Sequence, residues 1–299
     1  MTYEPYIVAF IDILGFKDMV DKSESEDSSK FNTILETLNK FKSIENPETW
    51  NKANFLVEIE EDAQRKNIQD FNIKDVVQCN CFSDCITIFV KADTNINERF
   101  STLVAFLSKI SCELLQNGIF IRGAITYGNL YTNEDASVFF GKAMNKAYTL
   151  ENTIAVYPRI LISKEMVSVL NYPILEKRNR YPYHQYIERF NDGTVGFTPL
   201  IFFQVMQSAS DIFNETTFHA ALTRARYSII DAIDNNIDNP HLYEKYSWLR
   251  DRYNNLYVNA PYHKDIIIDT NSPDSYSNIQ FRPINEFIDS TKNRNTNYL

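Results

Sequence analysis

Two aspartates stand out because each interrupts an apolar run. Asp12 sits in FIDILGF, residues 10–16, and Asp84 in CFSDCITIF, residues 81–89. An ionised carboxylate inside a strand is costly unless it is paired, hydrogen-bonded or bound to a cation. If Asp12 closes its strand, the turn Ile13-Leu14-Gly15-Phe16 opens a helix and presents backbone N–H groups to an anion. Two carboxylates on neighbouring strands beside such a turn would suit a two-metal site for in-line phosphoryl transfer. Each acid could equally cap a turn, and the two positions alone leave that alternative open.

The elements that must position these acids follow from the patterning. Tyr6 to Ile13 is almost continuously apolar, as in a central strand buried on both faces. Phe31 to Ile44 carries apolar residues at helical spacing, and 46–72 reads as loop plus helix. Val76 to Val90 reads as a hairpin broken at Phe82-Ser83-Asp84. Asn97 to Gln116 predicts a second amphipathic helix, stopped by Asn117-Gly118. Ile119 to Tyr127 returns as a strand, Val138 to Phe140 is a short apolar piece, and a helix follows Gly141 as far as Leu150. Arg159 to Ile162 adds a further strand. This order predicts an α+β, ferredoxin-like layout, with helices packed on an antiparallel-rich sheet. Beyond it, Gly193 to Met206 suggests a hairpin and Asp211 to Asn259 helices broken at Asn239-Pro240, with a polar tail over the last 25 or so residues.

Composition narrows the function. Lys plus Arg number 30 against 39 Asp plus Glu, a formal charge of −9, which disfavours nucleic acid as a partner. No apolar stretch approaches a membrane span, and MTYEPYIVAF lacks the basic start of a secretory signal, so a soluble, cytoplasmic protein is expected. Only 7 of 299 residues are glycine, so Gly15, Gly123 and Gly141 mark places that need a special backbone. Cys79 and Cys81 alternate along one strand and share a face; with Cys85 and Cys112 they read as buried, reduced thiols rather than a zinc site. His184, His219, His241 and His263 lie far apart, and there is no GxxxxGK[ST], GxGxxG or GxSxG.

Taken together, FIDILGF, FSDC, IRGAITYG and FGKAMNKAYTLE resemble, in order, the catalytic domain of class III nucleotidyl cyclases over roughly residues 4 to 165. The resemblance implies that Asp12, Asp84 and the carbonyl of Ile13 hold two divalent ions, Mn²⁺ or Mg²⁺. It implies that Leu14, Gly15 and Phe16 cradle phosphate and that two copies complete each other's active sites. Purine cyclases of the class read the base with a lysine and an acid, where this chain has Asn80 and Val138. The helix asparagine is present as Asn145, but the transition-state arginine is replaced by Thr149. One turn apart, these two would face the same cleft. Arg122 and Lys142 are the nearest substitutes, each also compatible with an ion-pair or solvated role.

Within the class, the pattern is most similar to the pyrimidine cyclases of bacterial Pycsar anti-phage systems, including YPRILIS and KYSWLRDRYNN downstream. That implies a homodimer converting UTP, or less readily CTP, into a 3′,5′-cyclic nucleotide and pyrophosphate for a cyclic-nucleotide-responsive effector. The expected division is a catalytic domain over 1–168 and a mainly helical extension over 169–299 packed on it. A purine cyclase with displaced base readers, and a degenerate nucleotide-binding module, are the alternatives. Two carboxylates left unpaired beside each other would speak against the module.

Overall fold

Strand β1 (Glu4–Leu14) lies at the centre, with residues 7–11 buried, as its unbroken apolar run requires. The computed structural model describes residues 2–25, 28–55, 73–92, 95–133, 137–170, 186–208, 215–257 and 268. After β1, Gly15 takes a positive φ of 75° and helix α1 (Phe16–Ser25) begins at once. Helix α2 (Ser28–Lys42) follows. Asn46 then caps the next helix, its side chain accepting from the Glu48 amide at 2.8 Å, with Pro47 in the first position of α3 (Pro47–Phe55). The rest of the expected 46–72 segment, residues 56–72, lies outside the described residues.

The hairpin forms as expected. Strands β2 (Val77–Phe82) and β3 (Cys85–Lys91) are joined by Ser83 and Asp84, with Ser83 at a φ of +57°. Helix α4 (Ile96–Leu115), strands β4 (Phe120–Thr132) and β5 (Phe139–Phe140), and helix α5 (Lys142–Thr153) complete the predicted order. Strand β6 (Ile160–Ile162) and helix α6 (Lys164–Val169) lead to β7 (Glu188–Arg189) and β8 (Val195–Phe197). The chain closes with α7 (Ile201–Ser208), α8 (Glu215–Asp234) and α9 (Pro240–Tyr257).

The sheet runs β2-β3-β1-β4-β6-β8-β7, with β5 paired to β4 alone. Its β2-β3-β1-β4 half is wholly antiparallel, the ferredoxin-like core, and the β4–β6 pair is parallel. The fold is thus α+β, and strands after residue 186 extend the same sheet. One core under the sheet joins Ile7, Ile11 and Phe100 to Phe203, Ile230 and Tyr253 of the C-terminal segment.

Two expectations are corrected. The C-terminal hairpin is formed by β7 and β8, and the apolar run at 201–208 is helix rather than returning strand. Helix α4, expected to be amphipathic, is buried almost all round because α2, α3, α7 and α8 contact it as well as β4. Several of its buried polar residues are small hydroxyls satisfied within the helix: Ser101 donates to the Asn97 carbonyl at 2.6 Å, Thr102 to the Glu98 carbonyl at 3.0 Å and Ser111 to the Ser108 carbonyl at 2.9 Å. No described helix is long and apolar enough to cross a membrane.

Candidate active site

The pleat of β1 separates structure from chemistry. Ile7, Ala9, Ile11 and Ile13 enter the main core, whereas Val8 and Phe10 pack with Ala143 and Ala147 of α5 on the other face. Asp12 continues this second series, so it emerges where the cover of α5 ends. Arg122 on β4 is its register partner on one side and Cys85 on β3 on the other. The tight β2–β3 turn brings Asp84 to the same place, and the Ile13 amide donates to the Asp84 carbonyl at 3.2 Å, tying the two segments. One ligand atom each from Asp12, Asp84 and Cys85 lie within 4.8 Å of one another.

Gly123, next to Arg122, has no room for a side chain: a Cβ there would lie 2.5 Å from the Phe10 carbonyl oxygen. This close approach of β4 to β1 holds Arg122 over Asp12. Arg122 Nε donates to Asp12 Oδ2 at 2.8 Å, and Nη2 stands 2.8 Å from Glu151 Oε1 on the inner face of α5. That oxygen is buried, and no donor is aligned on it well enough to form a hydrogen bond.

Burial pushes the Asp12 carboxyl above its ordinary range; the Arg122 hydrogen bond and charge oppose this, and Asp84 adds to the rise. Burial likewise raises Glu151 against the pull of Arg122, with Asp12 and Asp84 adding to it. The Cys85 thiol is pushed up to about 12 by burial and then by Asp84, so it stays protonated. Lys245 of α9 is lowered by burial and by Arg122, while Asp12 and Glu151 resist. Three carboxylates therefore gather around two cationic side chains, leaving a deficit of positive charge. The free oxygens of Asp12 and Asp84 are hard donors that fit Mg²⁺ or Mn²⁺, whereas the protonated Cys85 sulfur does not.

The remaining predicted residues divide. Leu14, Gly15 and Phe16 form the connection into α1, whose Met19 amide donates to the Gly15 carbonyl at 3.2 Å. Asn80 is paired with Thr87, itself paired across β3 with β1 residue Phe10, so Asn80 shares the Asp12 face of the sheet, two strands away. Val138 is exposed ahead of β5, its amide accepted by the Asn133 side chain at 2.9 Å. Lys142 is exposed at the start of α5. Asn145 and Thr149 do share one face, and Thr149 Oγ1 donates to the Asn145 carbonyl at 2.8 Å. That face is outward: at about 100° per residue they lie roughly 160° around the helix from buried Ala147. They do not look into the cleft of Asp12 in their own chain. A second correction concerns Asp12 itself, which is ion-paired with Arg122 rather than left unpaired. Arg122 is correspondingly engaged by Asp12 and Glu151.

Several residues at or near the site escaped the sequence reading. Glu151 completes an inward stripe Ala143, Ala147, Glu151 at four-residue spacing, a signal present in the sequence. Gln78 links the two candidate base-reading regions: its amide donates to the Asn133 carbonyl at 3.2 Å and its oxygen accepts from Thr132 at 3.2 Å. Lys245 arrives from about a hundred residues downstream and carries no local signature. Of the cysteines, Cys79 and Cys112 are buried as expected, but Cys81 and Cys85 are partly exposed; all four are free thiols. His219 and His241 sit on α8 and α9, while His184 and His263 lie outside the described residues.

No protein-family model and no curated protein matches the sequence. Among solved structures, the chain is similar to the monomeric guanylyl cyclase domain of the RhoGC fusion protein from the aquatic fungus Blastocladiella emersonii. That likeness has a TM-score of 0.38 and 16% identity, covering 65% of this chain and 95% of that one. It is similar to the guanylate cyclase domain of RhGC from Catenaria anguillulae, a complex with GTP, with a TM-score of 0.37, 16% identity and coverage of 65% and 94%. A class III adenylyl cyclase-like ATP-binding protein from Pseudomonas aeruginosa matches over 80% of this chain and 44% of that one, with a TM-score of 0.38 and 12% identity.

Proposed function

We propose that the chain is a metal-dependent nucleotidyl cyclase acting on a pyrimidine nucleoside triphosphate, UTP before CTP. The supporting observation is the convergence of Asp12 and Asp84, from β1 and the β2–β3 turn, within 4.8 Å beside the Gly15 turn. Held by Asp12, Asp84 and the Ile13 carbonyl, two Mg²⁺ or Mn²⁺ ions would offset triphosphate charge and acidify the ribose 3′-hydroxyl. The amides of Leu14, Gly15 and Phe16 bind phosphate oxygens. The 3′-oxygen attacks the α-phosphorus, the bond to the β-phosphate bridging oxygen breaks, and pyrophosphate leaves. Asp12 must be ionised for this.

Asn80 and Val138 offer the base a neutral amide and an apolar edge, without the charged pair that reads a purine. Asn145 and Thr149 face away from their own Asp12, so a homodimer, with α5 of one copy facing the carboxylates of the other, brings the two sets together. The cyclic product would then act on a separate effector in anti-phage defence. A nucleotide-binding module without catalysis is the second reading, favoured by the Asp12–Arg122–Glu151 pairing that already satisfies part of Asp12.

Incubation with Mn²⁺ and each of the four ribonucleoside triphosphates separates these readings. Cyclic UMP or CMP supports the proposal, cyclic AMP or GMP replaces its specificity, and binding without product favours the module. Activity surviving in Asp12→Ala would overturn the metal assignment.

A further inference from the structure

Strand β2 carries a pair of thiols on the face opposite the carboxylates. Cys79 and Cys81 have Sγ atoms 3.9 Å apart; Cys79 is fully buried and Cys81 is partly exposed. The Cys81 sulfur lies 3.9 Å from the Leu38 carbonyl of α2. Lys42, at the end of α2, donates to the Cys79 carbonyl and pairs with Glu45 at 3.0 Å, and Glu45 accepts from the Cys79 amide at 2.7 Å. We propose that Cys79 and Cys81 are a redox-active dithiol, closed by hydroperoxides into a disulfide within one strand and reopened by low-molecular-weight thiols.

The two sulfurs are unequal in a way that assigns their roles. A hydrogen bond from the Cys79 thiol, with the Lys42 charge, holds the Cys81 thiol below its ordinary range despite burial; the same hydrogen bond and burial push Cys79 up. The partly exposed member is thus the readier thiolate, as a peroxide-sensing cysteine needs. Of the other two thiols, Cys112 is buried and pushed up to about 12, and Cys85 faces the opposite side of the hairpin.

In the forward step the Cys81 thiolate attacks a peroxide oxygen, the O–O bond breaks, and the departing hydroxide takes up a proton as water. Cys79 then loses its proton, its sulfur attacks the resulting sulfenic sulfur, and a second water leaves. Two thiols and one hydrogen peroxide give one disulfide and two waters, with two electrons passing from sulfur to oxygen. Two molecules of a small thiol reverse it and leave as their own disulfide.

Alternate Cα atoms in a strand are about 6.6 Å apart, near the upper end of the disulfide range. Closure therefore shortens β2 locally and gives a strained, easily reduced bond, the labile kind rather than the structural kind. Asn80 lies between the two cysteines and Phe82 leads into the Asp84 turn, so the strain enters the hairpin that positions Asp84.

The test is made on the full chain with hydrogen peroxide, followed by alkylation, intact mass and peptide mapping, and its readout does not depend on any activity. The expected result is a loss of two hydrogens, two fewer alkylated thiols, a bond mapped between 79 and 81, and reversal by glutathione. Cys79→Ser should halt Cys81 at a dimedone-trapped sulfenic acid, and Cys112→Ser should behave as the parent. The proposal is overturned if all four thiols stay alkylatable while Cys81 remains reduced. It is equally overturned if Cys81 proceeds to sulfinic acid without a crosslink, or if the bond forms between chains. Mapping of the parent protein decides the matter even if a serine variant fails to fold.

Discussion

Replacing Asp84 with asparagine should stabilise the protein in the absence of divalent cations and abolish its response to them. Oxygens of Asp12 and Asp84 lie within 4.8 Å. Two unit charges at that spacing repel by about 3.5 kcal/mol at an effective dielectric constant of about 20. Arg122 already draws on the charge of Asp12, and Asp84 is partly exposed to screening solvent, so about 1 kcal/mol of relief survives. Unfolding entropy near 2.1 cal/mol/K per residue makes this a rise in Tm of about 1.5–2 °C for a chain of 299 residues.

The parent protein behaves oppositely. With Mn²⁺ at about 100 times its dissociation constant it gains about 2.7 kcal/mol, or about 4 °C, and Asp84→Asn gains nothing. The sign with pH follows from the raised carboxyl of Asp12. A raised acid lends its relative stability below the unfolded value and loses it as pH climbs through the folded one. The advantage of Asp84→Asn should therefore be present at pH 7 and fade as pH drops through the raised range in which Asp12 takes up its proton. Thermal scans in EDTA and in Mn²⁺ measure all of this. A lower Tm for Asp84→Asn in EDTA, or a Mn²⁺ shift equal to the parent's, would refute a shared carboxylate site.

Arg122→Gln leaves two buried carboxylates without their cation and should cost about 3–5 kcal/mol in urea unfolding, with Glu151→Gln in the same background recovering part of it. Ser83→Gly removes a left-handed φ of +57° from a residue with a side chain and should raise stability by about 1 kcal/mol, read from the same denaturation curves. Arg159 is 3% exposed, paired with Asp192 at 2.6 Å and set over the Phe190 ring at 4.7 Å. Arg159→Ala should cost about 2–3 kcal/mol. Although burial opposes it, the hydrogen bonds and charge of Arg159, with Thr194, bring the Asp192 carboxyl down to about 2. A lowered acid loses its contribution as pH falls through its folded value, so carboxyl NMR should show Asp192 titrating nearer pH 4 in the variant.

Much of the N-terminal half is legible because its elements are strongly patterned. The β1 run, the hairpin broken at Ser83-Asp84, and the helix after Gly141 each satisfy one period over a full element. Helix α1 is legible only at its start, after the Gly15 turn, because only Phe16, Met19 and Val20 face the core among seven polar residues and no apolar stripe marks its length. The run at 201–206 is buried except at Gln204, so its apolar sequence carries no period to distinguish strand from helix. At the site, both aspartates were legible as acids out of place in apolar surroundings. The ion pairs that meet Asp12 were not, since Arg122 is 110 residues away in sequence and Glu151 further still. Helical spacing put Asn145 and Thr149 on one face, but only the packing of Ala143 and Ala147 against the sheet decides that this face is the outer one.

The outward orientation of that polar pair has a genetic consequence. If each reaction centre draws carboxylates from one copy and Asn145 from the other, a mixed assembly of Asp12→Asn and Asn145→Ala chains concentrates both lesions in one centre and leaves its twin intact. Two inactive alleles expressed together would then restore turnover, whereas either alone would poison half the centres it shares with parental chains.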